Sequence, residues 1–184
     1  LLRLLARDHL RPAREVAHDL GDEVLERGLQ AAQMAPCHRH TWPWRFTLPG
    51  NVARQALFEV GVGLKAKKLV NTAPEALRRR LHGKLLTPAL VVVSQVIDAD
   101  RFREKEDYAA CACAIQNFCL SVTGDGYHSK WSTGALTTDS ATYKILAICE
   151  EVERIVGFVW VGKPEHETAT PPRPELESIL RSIP

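Results

Sequence analysis

The first segment able to do chemistry is Arg7-Asp8-His9-Leu10-Arg11, near the start of the chain. Its two guanidinium groups can hold a phosphate, because each offers paired donors that match the geometry of phosphate oxygens. A solvent-exposed basic edge has the same sequence pattern and contributes little to stability. The segment therefore indicates a phosphate site only in combination with other evidence.

A second candidate is the loop of residues 35–46, with the sequence APCHRHTWPWRF. Proline bounds it, and its polar donors and two tryptophans suit the edge and face of a planar ligand. Cys37, His38 and His40 are also metal-ligand types, but no later pair has the spacing of a zinc site. We expect a planar organic ligand here and no metal.

The third candidate is the connection of residues 124–134, with the sequence GDGYHSKWSTG. Its glycines and small hydroxyl residues allow the main chain to approach a ligand closely, although an ordinary turn has the same composition. The sequence contains no G-x-G-x-x-G, P-loop, G-x-S-x-G or H-E-x-x-H motif. A familiar nucleotide loop or hydrolase triad therefore has no support.

Length and charge narrow the class of protein. The chain has 184 residues, which predicts a single domain over residues 1–184. The formal net charge of +2 disfavours a nucleic-acid binder or a polybasic membrane binder. No stretch is suited to span a bilayer, and the N-terminal LLRLLARDHLRP lacks a signal cleavage site. Five cysteines without a CxxC pair indicate a reducing compartment, so we expect a cytoplasmic protein.

The elements that must position these segments follow from the hydrophobic pattern. It predicts helices near residues 1–9, 22–34, 52–65, 75–84, 107–122 and 139–148, and a short helix at the end. It predicts strands near residues 44–48, 89–97, 128–131 and 154–162, the second of them covered on both faces. The order predicts an α+β fold, a modest sheet flanked by helices. We expect Cys111, Cys113 and Cys119 in the core and Arg78–Arg80 on a solvated face.

Taken together, the segments resemble the FMN-dependent nitroreductase family, most closely its short YdjA-like NAD(P)H nitroreductases. The resemblance rests on the triplet Arg7-Asp8-His9, the AP-x-H-x-x-x-x-PWRF loop, and DYAACACAIQNFCLSVTGDGYHSKWSTG over residues 107–134. RIVGFVWVGKPE, over residues 154–165, matches the family's last core strand. The likeness covers nearly the whole chain in the family's order.

The resemblance implies a nitroreductase-like fold with a mainly antiparallel central sheet, and an intertwined homodimer with FMN at its interface. It implies ping-pong transfer of two electrons from NADH or NADPH, through FMN, to a nitroaromatic, a quinone or a similar small aromatic acceptor. The cofactor carries the difficult chemistry in such enzymes, so we expect no catalytic acid or nucleophile. Nucleic acids and membranes are not expected partners.

The resemblance also implies the residues that bind FMN. They are Arg7, Asp8, His9, Arg11, Met34, His38, Trp131, Ser132, Thr133 and Arg173. The phosphate and ribityl site is matched by the residues of the first segment together with Arg173. The segment that lies along the flavin is matched by Trp131, Ser132 and Thr133. Met34 and His38 match positions that reach the FMN of the other subunit. Residues 121–126 match a stretch that binds the nicotinamide nucleotide.

Three positions depart from the family pattern. Asp8 and His9 follow the first arginine where Arg-Arg-Ser or Arg-His-Ser is common, and a carboxylate beside a phosphate is unfavourable. Met34 stands where a basic residue is usual, and Cys37 replaces a polar residue. These departures predict weaker FMN binding than is usual.

The alternatives left open use the same flavin for dehydrogenation, dehalogenation or flavin fragmentation, or make the chain a non-catalytic flavin-binding dimer. The sequence names neither the physiological acceptor nor the choice between NADH and NADPH. We expect the acceptor pocket to include residues 61–74.

Overall fold

A four-stranded sheet forms the centre of the computed structural model, which describes residues 20–69, 73–163 and 172–183. Its strands are β1 (Trp44–Thr47), β2 (Ala89–Val96), β3 (His128–Ser132) and β4 (Glu153–Gly162), in the order β1-β2-β4-β3. All three pairings are antiparallel. The predicted α+β class with a mainly antiparallel sheet is confirmed.

Helices of very different length surround this sheet. In chain order they are α1 (Asp22–Gln33), α2 (Asn51–Ala66), α3 (Pro74–Leu85), α4 (Arg101–Gly124), α5 (Ala135–Thr138), α6 (Ser140–Leu146) and α7 (Leu176–Ile179). A single 3-10 turn, His38–His40, lies between α1 and β1. The helix expected at residues 1–9 lies outside the described residues.

The two central strands are buried because helices cover both faces of the sheet. On one face, Val91 and Val159 pack with Ile115 and Phe118 of α4, and α1 completes this cluster. On the other face, β2 and β4 pack with α2 and α6. Seven of the eight β2 residues are buried, which confirms the strand predicted to be covered on both faces.

Arg54 of α2 fixes the end of α3. Its guanidinium group donates to the carbonyls of Leu85, at 3.1 Å, and Leu86, at 2.9 Å, and also to that of Pro88. Only 3% of the residue is exposed. A charged donor satisfies the main-chain acceptors that a helix end leaves without intrahelical partners. This contact holds α3 against α2 and sets the path of the chain into β2.

The long helix α4 differs from its prediction in two ways. It begins at Arg101 rather than near residue 107, because the Asp100 side chain caps it by accepting from the amides of Phe102 and Arg103. The core prediction for three cysteines was wrong for Cys113, which is exposed, because it lies on the side of α4 that faces away from the sheet.

Large apolar side chains on the outer side of α4 are exposed. Phe102 is 70% exposed, Tyr108 47% and Leu120 61%.

The C-terminal residues 172–183 are exposed throughout. No helix of the described ranges has both the length and the apolar character needed to cross a membrane.

Candidate functional site

A cavity of about 260 Å³ lies where the end of β3 meets the C-terminal half of α2. We call it the α2–β3 cavity. Its apolar wall includes Leu64, Leu81, Leu85 and Trp160, from α2, α3 and β4. The connection from β3 into α5, which begins with Ser132 and Thr133, forms the opposite side. Two of the predicted flavin residues therefore lie together at a concave site.

Hydrogen bonds fix the main chain on this side of the cavity. The Trp160 indole donates to the Ser132 hydroxyl oxygen at 2.8 Å, and the same hydroxyl lies 3.4 Å from the Phe158 carbonyl. The Thr137 hydroxyl donates to the Gly134 carbonyl at 2.8 Å. Gly134 has φ of +150°, which only glycine adopts readily. The side chain of Ser132 thus positions the turn, and Thr133 is the exposed hydroxyl beside it.

Trp131 lies on the other face of the sheet from its neighbour Ser132, because side chains alternate along a strand. Its indole packs directly over Gly157 of β4, where an added Cβ would fall 2.1 Å from the Trp131 Nε1 atom. Trp131 remains 37% exposed. Because Gly157 has no side chain, the Trp131 indole lies directly against the main chain of β4, and this contact fixes the plane of the partly exposed ring.

Lys65 and Lys68 also line the α2–β3 cavity, as do Gly61 and Leu64. All four lie within residues 61–74, the stretch expected to contribute to the acceptor pocket, although the sequence did not distinguish the two lysines from their neighbours. The two lysines lie at the end of α2, where basic residues complement the negative end of the helix dipole. A basic helix end is therefore expected even where no ligand binds, so the sequence alone does not mark these two lysines as site residues. Only the packing of α3 and β4 around the end of α2 reveals that both lysines border a concave site.

The loop predicted to contact a planar ligand has an unusual main chain. Arg39, His40 and Trp42 have φ of 58°, 54° and 48°. A non-glycine residue in the left-handed region costs about 1–3 kcal/mol and persists where its surroundings enforce it. The imidazole of His40 stacks on the indole of Trp42, with 5.3 Å between ring centroids. Such strain is concentrated at functional sites, so the loop stays a candidate ligand-binding segment.

A buried carboxylate anchors the loop to α4. The Thr41 hydroxyl donates to Asp107 at 2.5 Å, and Asp107 is only 4% exposed. The Cys37 sulfur accepts from the Trp42 amide at 3.3 Å. Burial, together with the nearby Asp107, raises the pKa of the Cys111 thiol to about 12, so that thiol stays neutral. The loop is therefore hydrogen-bonded to the buried Asp107 through Thr41, while its basic residues, His38, Arg39 and His40, are exposed to solvent.

The remaining predicted residues lie apart from the cavity or outside the described ranges. Met34, 80% exposed, ends α1, and His38 is exposed on the 3-10 turn. Neither lines the α2–β3 cavity within one chain. Arg173 lies in the exposed C-terminal segment. The residues of the first segment, Arg7, Asp8, His9 and Arg11, lie outside the described residues and stay predictions.

Metal chemistry has no visible site in the part of the chain that the structure covers. No group of three His, Cys, Asp or Glu side chains there is placed to hold an ion. Cys37, His38 and His40, the residues of metal-ligand type in the loop, do not form such a group.

The profile of the nitroreductase family matches residues 17–163, which is most of the chain. The chain belongs to the nitroreductase family. Its members are oxidoreductases, and the resemblance inferred from the sequence is confirmed. The Escherichia coli (strain K12) protein named "Putative NAD(P)H nitroreductase YdjA" is 24% identical over 152 residues, which cover 80% of each chain.

Solved nitroreductase structures share the fold. The nitroreductase-like family protein from Bacillus cereus superposes with a TM-score of 0.75 at 23% identity, over 96% of this chain and 95% of the other. A Bacteroides fragilis nitroreductase with bound FMN superposes with a TM-score of 0.64 at 25% identity, over 96% of this chain and 97% of the other. The nitroreductase-like fold predicted from the sequence is confirmed.

Proposed function

We propose that this protein is an FMN-dependent oxidoreductase that passes two electrons from NADH or NADPH to a nitroaromatic, a quinone or a similar acceptor by a ping-pong mechanism. The observation that carries the proposal is the α2–β3 cavity. It is lined by Ser132 and Thr133, two residues of the segment expected to lie along the flavin, in a chain of the nitroreductase family. The FMN-bound Bacteroides fragilis relative supports the choice of cofactor.

The described residues fit a flavin. The isoalloxazine is planar and largely apolar on its faces, with polar atoms along its edges, so it needs an aromatic surface and a close main chain. Trp131 offers a partly exposed ring whose plane is fixed by Gly157. The turn at Thr133 and Gly134 offers a hydrogen-bonded main chain with little side-chain bulk. This combination supports a ring lying along residues 131–134.

FMN, when bound, supplies the two-electron chemistry that no side chain of this protein provides. The chain binds and orients it. Arg7, Arg11 and Arg173 hold the phosphate, and Asp8 and His9 face the ribityl chain. Guanidinium groups suit the phosphate because they donate paired, charge-assisted hydrogen bonds.

We propose that two copies of the chain complete each site. Met34 and His38 do not line the cavity of their own chain, and each is exposed. Phe102, Tyr108 and Leu120 give α4 an apolar surface that a second copy would cover. A symmetric dimer places the same surface on both sides of its interface. In this arrangement Met34 and His38 reach the flavin held by the partner.

The overall reaction balances without a catalytic side chain. NAD(P)H gives up a hydride, which carries two electrons and one proton, and solvent supplies a second proton. A nitro group takes up these two electrons and two protons and becomes a nitroso group with the loss of one water. The protein's part is to hold donor and acceptor in turn at one face of a site that excludes bulk water.

Steady-state kinetics test this proposal. We expect purified protein to be yellow and to oxidise NADH or NADPH when menadione or nitrobenzene is present. Double-reciprocal plots at several acceptor concentrations should be parallel, because a ping-pong enzyme releases NAD(P)+ before it binds the acceptor. Oxidation with intersecting plots would reject the mechanism. A folded yellow protein that oxidises neither nucleotide with any acceptor would favour the non-catalytic flavin dimer.

Occupancy of the cofactor tests the phosphate site. Arg7→Ala should lower FMN content while the dimer stays folded, because a charged hydrogen bond contributes about 1.5–3 kcal/mol. Arg80→Ala is the matched control, since this arginine is exposed on α3 and does not line the cavity. Equal FMN content in both variants and the wild type would exclude Arg7 from the site.

A further inference from the structure

Two cationic side chains at the α2–β3 cavity have no anionic partner in the described structure. Lys65 lies in the last turn of α2, and Lys68 follows in the turn directly after the helix, where its amide donates to the Lys65 carbonyl at 3.0 Å. Both side chains line the cavity. All ion pairs found among residues 20–69, 73–163 and 172–183 involve arginines elsewhere. The residues that line the cavity include no Asp or Glu. The cavity therefore has a positive field that nothing within its walls neutralises.

The rest of the cavity suits a single aromatic ring. Leu64, Leu81, Leu85 and Trp160 give it apolar and aromatic walls. Its volume of about 260 Å³ exceeds the ~150 Å³ of a dry apolar cavity that binds benzene. There is room for one ring with substituents.

The helix dipole alone does not explain this arrangement. It accounts for basic residues at the end of α2, and Lys67 shares that position. Lys67, however, does not line the cavity, whereas Lys65 and Lys68 both do. The dipole favours any cation at this helix end, so it does not select the two that border an apolar space. Lys67 consequently serves as a control with the same charge and the same helix end.

We propose that Lys65 and Lys68 make the enzyme select aromatic acceptors that carry a carboxylate, with the ring in the α2–β3 cavity and the carboxylate at the two ammonium groups. The inference rests on the proposed function and names the substrate class of that same site. The reaction converts an aromatic nitro group to a nitroso group, with two electrons from NAD(P)H, two protons and the loss of one water. The carboxylate is unchanged and serves only recognition.

The kinetic test compares 4-nitrobenzoate with its neutral methyl ester, which keeps the ring and the nitro group. Wild-type enzyme should favour the acid in kcat/KM. In Lys65→Gln/Lys68→Gln the preference for acid over ester should fall about tenfold or more, since each lost ammonium removes a charge-assisted contact. Lys67→Gln should keep the wild-type preference. An acid-to-ester ratio that is the same in wild type and the double variant would overturn the proposal.

A binding test separates this inference from the proposed function. Binding of 4-nitrobenzoate is followed by calorimetry and by quenching of the Trp160 fluorescence, with Trp160→Phe to identify the signal. The dissociation constant should rise about tenfold in the double variant and stay constant in Lys67→Gln. If nitrobenzoate binds in this lysine-dependent way but nothing is reduced, the proposed function fails and the site assignment stands.

FMN content completes the test. The proposal expects the double variant to retain FMN, because the lysines contact the acceptor. If the variant loses FMN in proportion to its loss of activity, the lysines hold the cofactor and the proposal is wrong. If both esters and acids are reduced equally well by every variant, the proposal is wrong while the oxidoreductase function stands.

Discussion

Gly157 is the position where one added methyl group should disturb both the sheet and the proposed flavin surface. An alanine Cβ there would lie 2.1 Å from Nε1 and 2.6 Å from Cδ1 of Trp131, and 3.1 Å from the Ser132 carbonyl oxygen. Contacts below about 3.0 Å force something to move. The indole is a rigid ring rather than a flexible chain end. Either the Trp131 side chain therefore moves away from Gly157, or strand β3 shifts relative to β4.

Overpacking of this kind costs about 1–3 kcal/mol. For a chain of this size, that corresponds to a fall in Tm of about 2–12 °C, at about 2–4 °C for each kcal/mol. Gly157→Ala should therefore unfold at lower urea concentration and lower temperature than the wild type. FMN content should fall with it, because the Trp131 ring would leave its position over Gly157, which fixes the plane of the ring proposed to contact the flavin.

Gly162→Ala is the matched control in the same strand. Its added Cβ would lie 3.7 Å from the nearest atom, a Pro88 carbon, which is ordinary contact. We expect its free energy of unfolding to stay within about 0.5 kcal/mol of the wild type. In a Trp131→Ala background the Gly157→Ala change should lose most of its cost. Equal stability of the two glycine variants, or an unchanged cost without the indole, would refute the packing of Trp131 on Gly157.

Three further predictions concern the helices. Arg54→Ala should lower the free energy of unfolding by about 2–4 kcal/mol in urea titration, because buried carbonyls lose a charged donor. The control Arg80→Ala, at an exposed position, should change it by less than about 0.5 kcal/mol. Equal losses in the two variants would contradict the buried role of Arg54. Burial raises the pKa of Cys111 to about 12, so native protein at pH 8 should incorporate iodoacetamide at exposed Cys149 but not at Cys111 by mass spectrometry. Above about pH 8.5 the Cys111 thiol loses its proton in the unfolded chain but keeps it in the folded protein. The free energy of unfolding should therefore fall as the pH rises from about 8.5 towards the folded-state pKa. Native labelling of both thiols, or a flat pH profile, would count against this. Leu120→Arg should reduce a dimer of twice 20.5 kDa to single chains in size-exclusion chromatography with light scattering; an intact dimer would place the interface elsewhere.

The regular elements were predictable where one physical signal dominated. The run of β2 is apolar at almost every position, and only a strand covered on both faces buries such a run. The start of α4 was missed because residues 101–106 are mostly charged and lack apolar periodicity, although Asp100 is a standard helix cap. Helix α5 has only four residues, too few for any periodicity to show.

The candidate site was predictable only in part. Ser132 and Thr133 were named because the resemblance to the nitroreductase family matches them to the segment along the flavin, and both line the α2–β3 cavity. Residues 61–74 were expected at the acceptor pocket, but Lys65 and Lys68 were not picked out within them, because a cavity is made by tertiary packing and a basic helix end has a local explanation in sequence. The exposure of Cys113 was missed for a related reason. The sequence shows an apolar helix but does not say which of its sides another element covers.

The most direct test is anaerobic reduction of the purified holoprotein followed by absorbance. We expect a folded dimer to bind FMN, its yellow colour to bleach when NADH or NADPH is added without oxygen, and the colour to return when a nitroaromatic is added. Folded protein that stays colourless with excess FMN would contradict the central claim, and so would a bound flavin that neither nucleotide bleaches.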